Sequence, residues 1–165
     1  LAKPLGDKDG YILEECDWGI TSNVTQSFVG GAFSGSALPT ALFGVLWCRP
    51  LLVTPMMYEH RDALEVHVGY WYDVSENADY VWYTAQESRD PGEAFSIDNV
   101  VEYDGSTIAG GNSRFNWWSW PVDGTYITSV GQWLALAVGR RGDLVDDDYT
   151  GNLIVSSTYL VRSTS

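Results

Sequence analysis

An all-β sandwich of jelly-roll type is the fold this sequence predicts, and three observations predict it. Hydrophobicity alternates with a period of two along most of the chain. Gly, Asn, Asp and Pro recur roughly every ten residues and break the alternating runs into short segments. No helical pattern of about 10–15 residues intervenes between those segments, which disfavours a parallel α/β sheet.

Taken in chain order, residues 1–40 read as an extended, Gly-rich arm or edge segment. Gly30, Gly31, Gly35 and Pro39 punctuate a small-residue stretch that cannot hold a core of its own. Such a segment either reaches a neighbouring subunit or folds over its own domain. Residues 41–165 form the sandwich domain, with about eight strands. The clearest spans Ala63 to Val74, where Leu64, Val66, Val68, Tyr70 and Tyr72 share one face and Glu65, His67, Trp71 and Asp73 the other. The remaining strands are expected at Leu51–Tyr58, Tyr80–Gln86, Phe95–Tyr103, Phe115–Trp120, Thr125–Val130, Gln132–Gly139 and Asn152–Arg162. Each is rich in β-branched or aromatic residues.

Composition narrows the function. The 165 residues carry 22 Asp and Glu against 9 Lys and Arg, a formal net charge of −13. Phosphate binding needs a basic stripe, so nucleic acid is excluded as a partner. No apolar run reaches the roughly 18 residues of a membrane-spanning helix. Only Lys3 and Lys8 are lysines, and Asp outnumbers Glu, a mild signature of a chain working in high salt.

Chemistry-bearing residues are sparse. No nucleophile elbow or zinc spacing occurs, and His67 reads as a strand histidine, so no catalytic residue is assigned. A jelly-roll glycosidase would need a pair among Glu59, Glu65, Glu87 and Glu102 in one groove. Cys16 and Cys48 permit one disulfide or two buried thiols. The loop at 140–151 places Asp143, Asp146, Asp147 and Asp148 close together, and Asp143, Asp146 and Asp148 are candidate calcium ligands. Asp7 and Asp9 form a weaker fragment of the same kind, lacking the first ligand. Arg141-Gly142-Asp143 and the sequon at Asn23 are short matches of the sort that chance supplies.

The aromatic strand is the most unusual feature. Phe115, Trp117, Trp118 and Trp120 crowd six positions, with large rings on both faces of an extended segment. Such a strand is buried on both sides, or shows one face to a subunit or a sugar.

The run 131–139, its acidic loop and the run 151–162 resemble the terminal hairpin of small virion β-sandwich proteins, among them phage and archaeal-virus decoration, turret and tail-fibre tip domains. The resemblance lies in strand length, Trp and Tyr density and outward Ser and Thr, over about residues 50–165. It implies a non-enzymatic virion surface protein, a symmetric oligomer with a trimer favoured, bound to other virion structural proteins. The alternatives are a carbohydrate-binding module, secreted or on a virion tip, that stacks glycans on Trp117, Trp118 or Trp120, and the glycosidase.

Overall fold

The structure, a computed structural model, describes residues 3–5, 8–28 and 33–163. Thirteen strands lie among the described residues: β1 (Lys3–Leu5), β2 (Lys8–Glu15), β3 (Trp18–Ser22), β4 (Thr25–Phe28), β5 (Ser34–Leu38), β6 (Phe43–Cys48), β7 (Leu51–Leu52), β8 (Leu64–Tyr72), β9 (Ala78–Arg89), β10 (Asn99–Thr107), β11 (Asn116–Pro121), β12 (Trp133–Arg141) and β13 (Leu153–Ser163). One short helix, α1 (Pro55–Glu59), separates β7 from β8. No helix among the described residues is long and apolar enough to cross a membrane.

All pairings are antiparallel, and they make two sheets. In sheet I, β8 lies between β11 and β13. The far edge of β13 is shared: Leu153–Val155 pair with β5, and Tyr159–Ser163 pair with β2. Beyond these lie β4 and β1. Sheet II runs β10-β9-β12-β6-β3, with β7 beside the start of β12. From β8 onward the chain crosses repeatedly between the sheets, as a jelly-roll-like sandwich requires.

Alternation decides which side chains meet between the layers. Val66, Val68, Leu153, Val155 and Leu160 of sheet I face Leu46, Trp82, Leu134, Leu136 and Val138 of sheet II, all buried. Between the sheets, beneath the edge strand β11, Trp118 lies flat on Trp82, ring centroids 4.5 Å apart at 4°. Tyr70 and Tyr80 meet Trp82 edge-on, and Tyr103 meets Trp118 in the same way. Ring edges against ring faces are the favoured electrostatic arrangement around such a stack.

One charge is buried with the apolar side chains. Arg140, fully buried on the inner face of β12, forms a bidentate pair with Asp147 at 2.9 and 2.6 Å. It also donates to the carbonyls of Leu38, Tyr149 and Gly151. Every guanidinium direction is therefore satisfied, which a buried cation requires.

Several sequence expectations need revision. Strand Leu51–Tyr58 stops after two residues, because Thr54 accepts a hydrogen bond from the Met57 N–H and Pro55 starts α1. Thr125–Val130 is not a strand. Gly124–Tyr126 form a 3-10 turn, and the Gln132 side chain accepts from the N–H groups of Thr128 and Ser129. Phe95–Asp98 stay irregular because Arg89 gathers the carbonyls of Ala94 and Ser96 together with the Asp98 carboxylate. The extended first forty residues are laid into both sheets as β1 to β5, with Cys16, Ala37 and Leu38 buried.

Candidate functional site

The sandwich has two outer faces, and both carry aromatic rings. On sheet I the outward residues of β11, β8 and β13 form a contiguous strip. Tyr159 meets Trp117 at 6.0 Å, Trp117 meets Phe115 at 5.4 Å, Phe115 meets Phe33 at 6.0 Å and Phe33 meets Trp71 at 6.4 Å. Gly69 makes this possible, since a Cβ there would lie 2.6 Å from the Phe115 ring. The rings cover His67, Trp71 and Ile154, which are buried although they point away from the core. His67 Nε2 meets Glu65 at 3.1 Å, while His67 Nδ1 and Trp71 Nε1 have no partner among the described residues.

The predicted aromatic strand thus divides. Phe115 and Trp117 stand on the outer face, whereas Trp118 and Trp120 point inward and pack in the core. Strand parity turns both toward sheet II; Trp120 is buried, whereas Trp118, on the edge strand β11, is partly buried. The burial of Trp120 departs from the expectation that it faces a sugar or a subunit.

Sheet II presents a different outer face. Its central residues are small: Ala85 on β9, and Ala135, Ala137 and Gly139 on β12. Phe43, Val45, Trp47 and Tyr83 pack over this floor, with Phe43 and Tyr83 edge to face at 4.8 Å. Toward β7 the layer opens. A cavity of about 360 Å³ is lined by Gly19, Trp47, Cys48, Arg49, Pro50 and Ala135. A second, of about 560 Å³, shares Pro50 and is lined by Arg89, Pro91, Phe95 and Trp133. Trp133 is 49% exposed and Phe95 92% exposed, so ring surface there is free of protein partners.

Charged pairs flank this face. Arg89 meets Asp98 at 2.8 Å and Glu87 at 3.5 Å. Arg141 meets Glu102 and Asp143, both at 2.9 Å, and lies 4.6 Å above the Phe43 ring. The hydrogen bonds from Arg141 hold the Asp143 carboxyl below the usual carboxylate range. These pairs fix polar groups beside the rings.

Three carboxylates of the acidic loop are spent on structure. Asp147 pairs with Arg140, Asp143 with Arg141, and Asp148 accepts from the Asp79 N–H at 2.8 Å. Asp143 is thus committed to Arg141, Asp146 and Asp148 line one cavity with Asp79 and Asp104, and no group of three His, Cys, Asp or Glu suited to a metal ion occurs among the described residues. Asp7 lies outside the described residues. Cys16 and Cys48 are both free, buried thiols, so the disulfide considered from sequence is not formed.

The four glutamates are scattered. Glu59 is on α1 and Glu65 on the outer face of sheet I, while Glu87 and Glu102 share the outer face of sheet II. Glu102 pairs across from Tyr83, four residues before Glu87, so the two are about 13 Å apart along the strand. Glu87 is further held by the Ser96 N–H and Arg89. Glycosidase pairs stand roughly 5–9.5 Å apart, and this arrangement does not bring two carboxylates together in that way.

Sequence reading missed the sheet II face. A usable signal existed in Ala135, Ala137 and Gly139, three small residues on alternate positions of an otherwise bulky strand. Trp47 lay in a run whose strand character was hidden by Pro39, Arg49 and Pro50.

No protein-family model matches this chain, and no curated protein matches it. Among solved structures, the CBM22-1 xylan-binding domain of Paenibacillus barcinonensis Xyn10C is similar over 97% of this chain and 100% of its own, at 12% identity and a TM-score of 0.48. SGBP-B from a xyloglucan utilization locus of Bacteroides uniformis is similar over 94% of this chain and 48% of its own, at 13% identity and a TM-score of 0.45. TmCBM27, a carbohydrate-binding module described for specific mannan recognition, covers 94% of this chain and 90% of its own, at 11% identity and a TM-score of 0.40. At such identities and TM-scores none of these likenesses assigns a ligand to this chain.

Proposed function

We propose that the protein is a carbohydrate-binding module that holds an uncharged glycan segment across the outer face of sheet II. The observation that carries this reading is the pair of adjoining cavities that share Pro50, one walled by Trp47 and the other by Trp133 and Phe95. A sugar ring has an apolar C–H face and a rim of hydroxyls. It therefore suits a site that combines a flat ring with fixed polar groups, as pockets for small ligands generally do. Trp47 lies opposite Ala137, four residues along β12 from Trp133, so the two backbone positions are offset by about 13 Å along the strand. That span suits a short oligosaccharide rather than a single sugar.

Charge supports an uncharged ligand. Arg89 and Arg141 are already committed to carboxylates, and the net charge of −13 repels uronate or sulfate chains. Titration calorimetry against a panel of neutral and acidic polysaccharides tests the reading. Binding to a neutral glycan, lost in Trp133→Ala and Trp47→Ala but kept in Trp117→Ala, is the expected result. Absence of binding across the panel, or indifference to Trp133→Ala, would overturn it.

A second reading, that of an oligomeric virion surface protein, has one observation in its favour. Phe33 and Phe115 are exposed on sheet I, next to the ring strip. Light scattering coupled to size exclusion decides it: a trimer that Phe115→Ser dissociates supports it, and a strict monomer ends it.

A further inference from the structure

The loop 90–98, which joins β9 to β10, is held by hydrogen bonds along its length and still turns an apolar ring to solvent. Asp90-Pro91-Gly92-Glu93 form a tight turn, closed by the Glu93 N–H on the Asp90 carbonyl at 3.1 Å, with Gly92 at φ +90°. The Glu93 carboxylate accepts in return from the Asp90 N–H at 2.7 Å. The Arg89 guanidinium donates to the carbonyls of Ala94 and Ser96 and to the Asp98 carboxylate. Glu87 accepts from the Ser96 N–H at 2.8 Å, and Asp98 from the Ser88 N–H at 2.6 Å. Phe95 sits between the two residues whose carbonyls Arg89 holds, yet it is 92% exposed. Core packing does not explain a ring fixed in that place.

Trp133 meets the same arginine from the other direction. It lies directly opposite Arg89 in the pairing of β12 with β9, on the outer face of sheet II. β10, toward which the loop runs, flanks β9 on the side away from β12. Arg89 therefore stands between the two rings, and all three residues line the cavity of about 560 Å³ together with Asp90 and Glu93. The cleft has two aromatic walls and, between them, a guanidinium already paired with Asp98 and Glu87.

Resting on the reading of sheet II as a glycan-binding face, we propose that this cleft grips one pyranose unit on both faces, Trp133 against one and Phe95 against the other, and thereby selects glycans whose ring substituents are all equatorial. In such a sugar, axial C–H bonds cover both faces, and each face can lie on an aromatic ring. The hydroxyls leave in the plane of the sugar, toward the open sides of the cleft, where Asp90, Glu93 and water accept them. An axial hydroxyl points into a wall instead. It loses its water there and finds no partner on a hydrocarbon ring, a costly state for a polar group. A single stacking ring would tolerate that hydroxyl, because the second face of the sugar would remain in water. Phe95 thus sets the stereochemical preference, while Trp133 supplies affinity for either kind of sugar. The pinned loop holds Phe95 in place before the glycan arrives, so little ordering opposes the fit.

Titration calorimetry with three oligosaccharides tests this. Cellohexaose and xylohexaose have only equatorial substituents, and mannohexaose differs from cellohexaose by one axial hydroxyl per ring. The tighter of the first two is expected to bind about tenfold or more tighter than mannohexaose. In Phe95→Ala the preference should fall to about twofold or less, through weaker binding of the equatorial sugar. An unchanged urea midpoint is expected for that variant, since the ring it removes is exposed. Mannohexaose bound as tightly as the other two, or a preference that survives Phe95→Ala, would overturn the proposal. Either result, with Trp133→Ala still abolishing binding, leaves the glycan-binding reading standing. Binding to none of the three removes the equatorial preference, and the wider polysaccharide panel then decides the glycan-binding reading itself.

Discussion

The outer faces of sheets I and II start from the same alternation and a similar supply of rings, yet they end as different surfaces. On sheet I the rings touch one another, from Tyr159 through Trp117, Phe115 and Phe33 to Trp71, and together they bury residues beneath them. Part of their apolar surface is turned against neighbouring rings, while Phe33 and Phe115 stay 58% and 45% exposed. On sheet II, Phe43 and Tyr83 are likewise turned against each other, but Trp133 and Phe95 keep exposed ring surface beside cavities and fixed ion pairs. Aromatic abundance alone therefore does not mark a site. A ring free of protein partners, next to polar groups already held in place, does.

The sharpest way to break this comparison is to remove a ring from each face. Trp71→Ala on sheet I should cost about 3–5 kcal/mol of stability, as for other buried Trp truncations, measured by urea denaturation. Glycan affinity of the folded fraction should not change. Trp133→Ala on sheet II should do the reverse. Affinity should fall tenfold or more, equivalent to ~1.4 kcal/mol, while stability stays within about 0.5 kcal/mol. If both substitutions act alike, the distinction between the faces is lost.

A subtler change tests the packing of the sheet I strip. Gly69→Ala places a methyl 2.6 Å from Phe115 and should cost about 1–3 kcal/mol by forcing the ring off its seat. Adding Phe115→Leu should recover part of that loss, because the smaller side chain leaves room. A double-mutant cycle measures the recovery, and strict additivity would show that the ring does not rest on Gly69.

The smallest effect concerns acid. Asp143 has its pKa lowered in the folded state by Arg141, from an unfolded value of 3.8. Its contribution is fully present above that unfolded value and is lost as pH falls through the lower folded one. Because the pair is solvent-exposed, the contribution should stay below about 0.5 kcal/mol. Urea midpoints at pH 5 and pH 2.5 should therefore differ slightly less in Asp143→Asn than in the unaltered protein. Ser119→Ala on the outer face of sheet I should leave the difference as it was.

Much of the architecture was legible from periodicity alone. β8, β9, β11, β12 and β13 appear near their expected positions because each alternates strongly and is bounded by turn residues. The face assignment of Leu64 to Tyr72 also holds, with Trp71 pointing outward as expected. The strands of the first forty residues were not legible. Small residues such as Ser34 to Ala37 give little hydrophobic contrast, and their pairing with β13 depends on residues more than a hundred positions away. The acidic loop misled for a related reason. Asp147 looks like a surface carboxylate until Arg140 is found on the inward side of β12, and only strand parity reveals that. Alternation separates Phe115 and Trp117 from Trp118 and Trp120, but which pair faces outward depends on the pairing with β8.

The position of β13 has a consequence for synthesis. It is the central strand of sheet I and pairs with β2, β5 and β8, all of which precede it. Leu38 of β5 leaves the ribosome about 115 residues before its partner Leu153, a wait on the order of ten seconds at usual elongation rates. Throughout that interval β5 and β8 present open edges that any extended chain could join. The nascent protein is thus most exposed to mispairing just before its central strand arrives, and a chaperone that shields strand edges would matter more to its yield than one that merely hides apolar side chains.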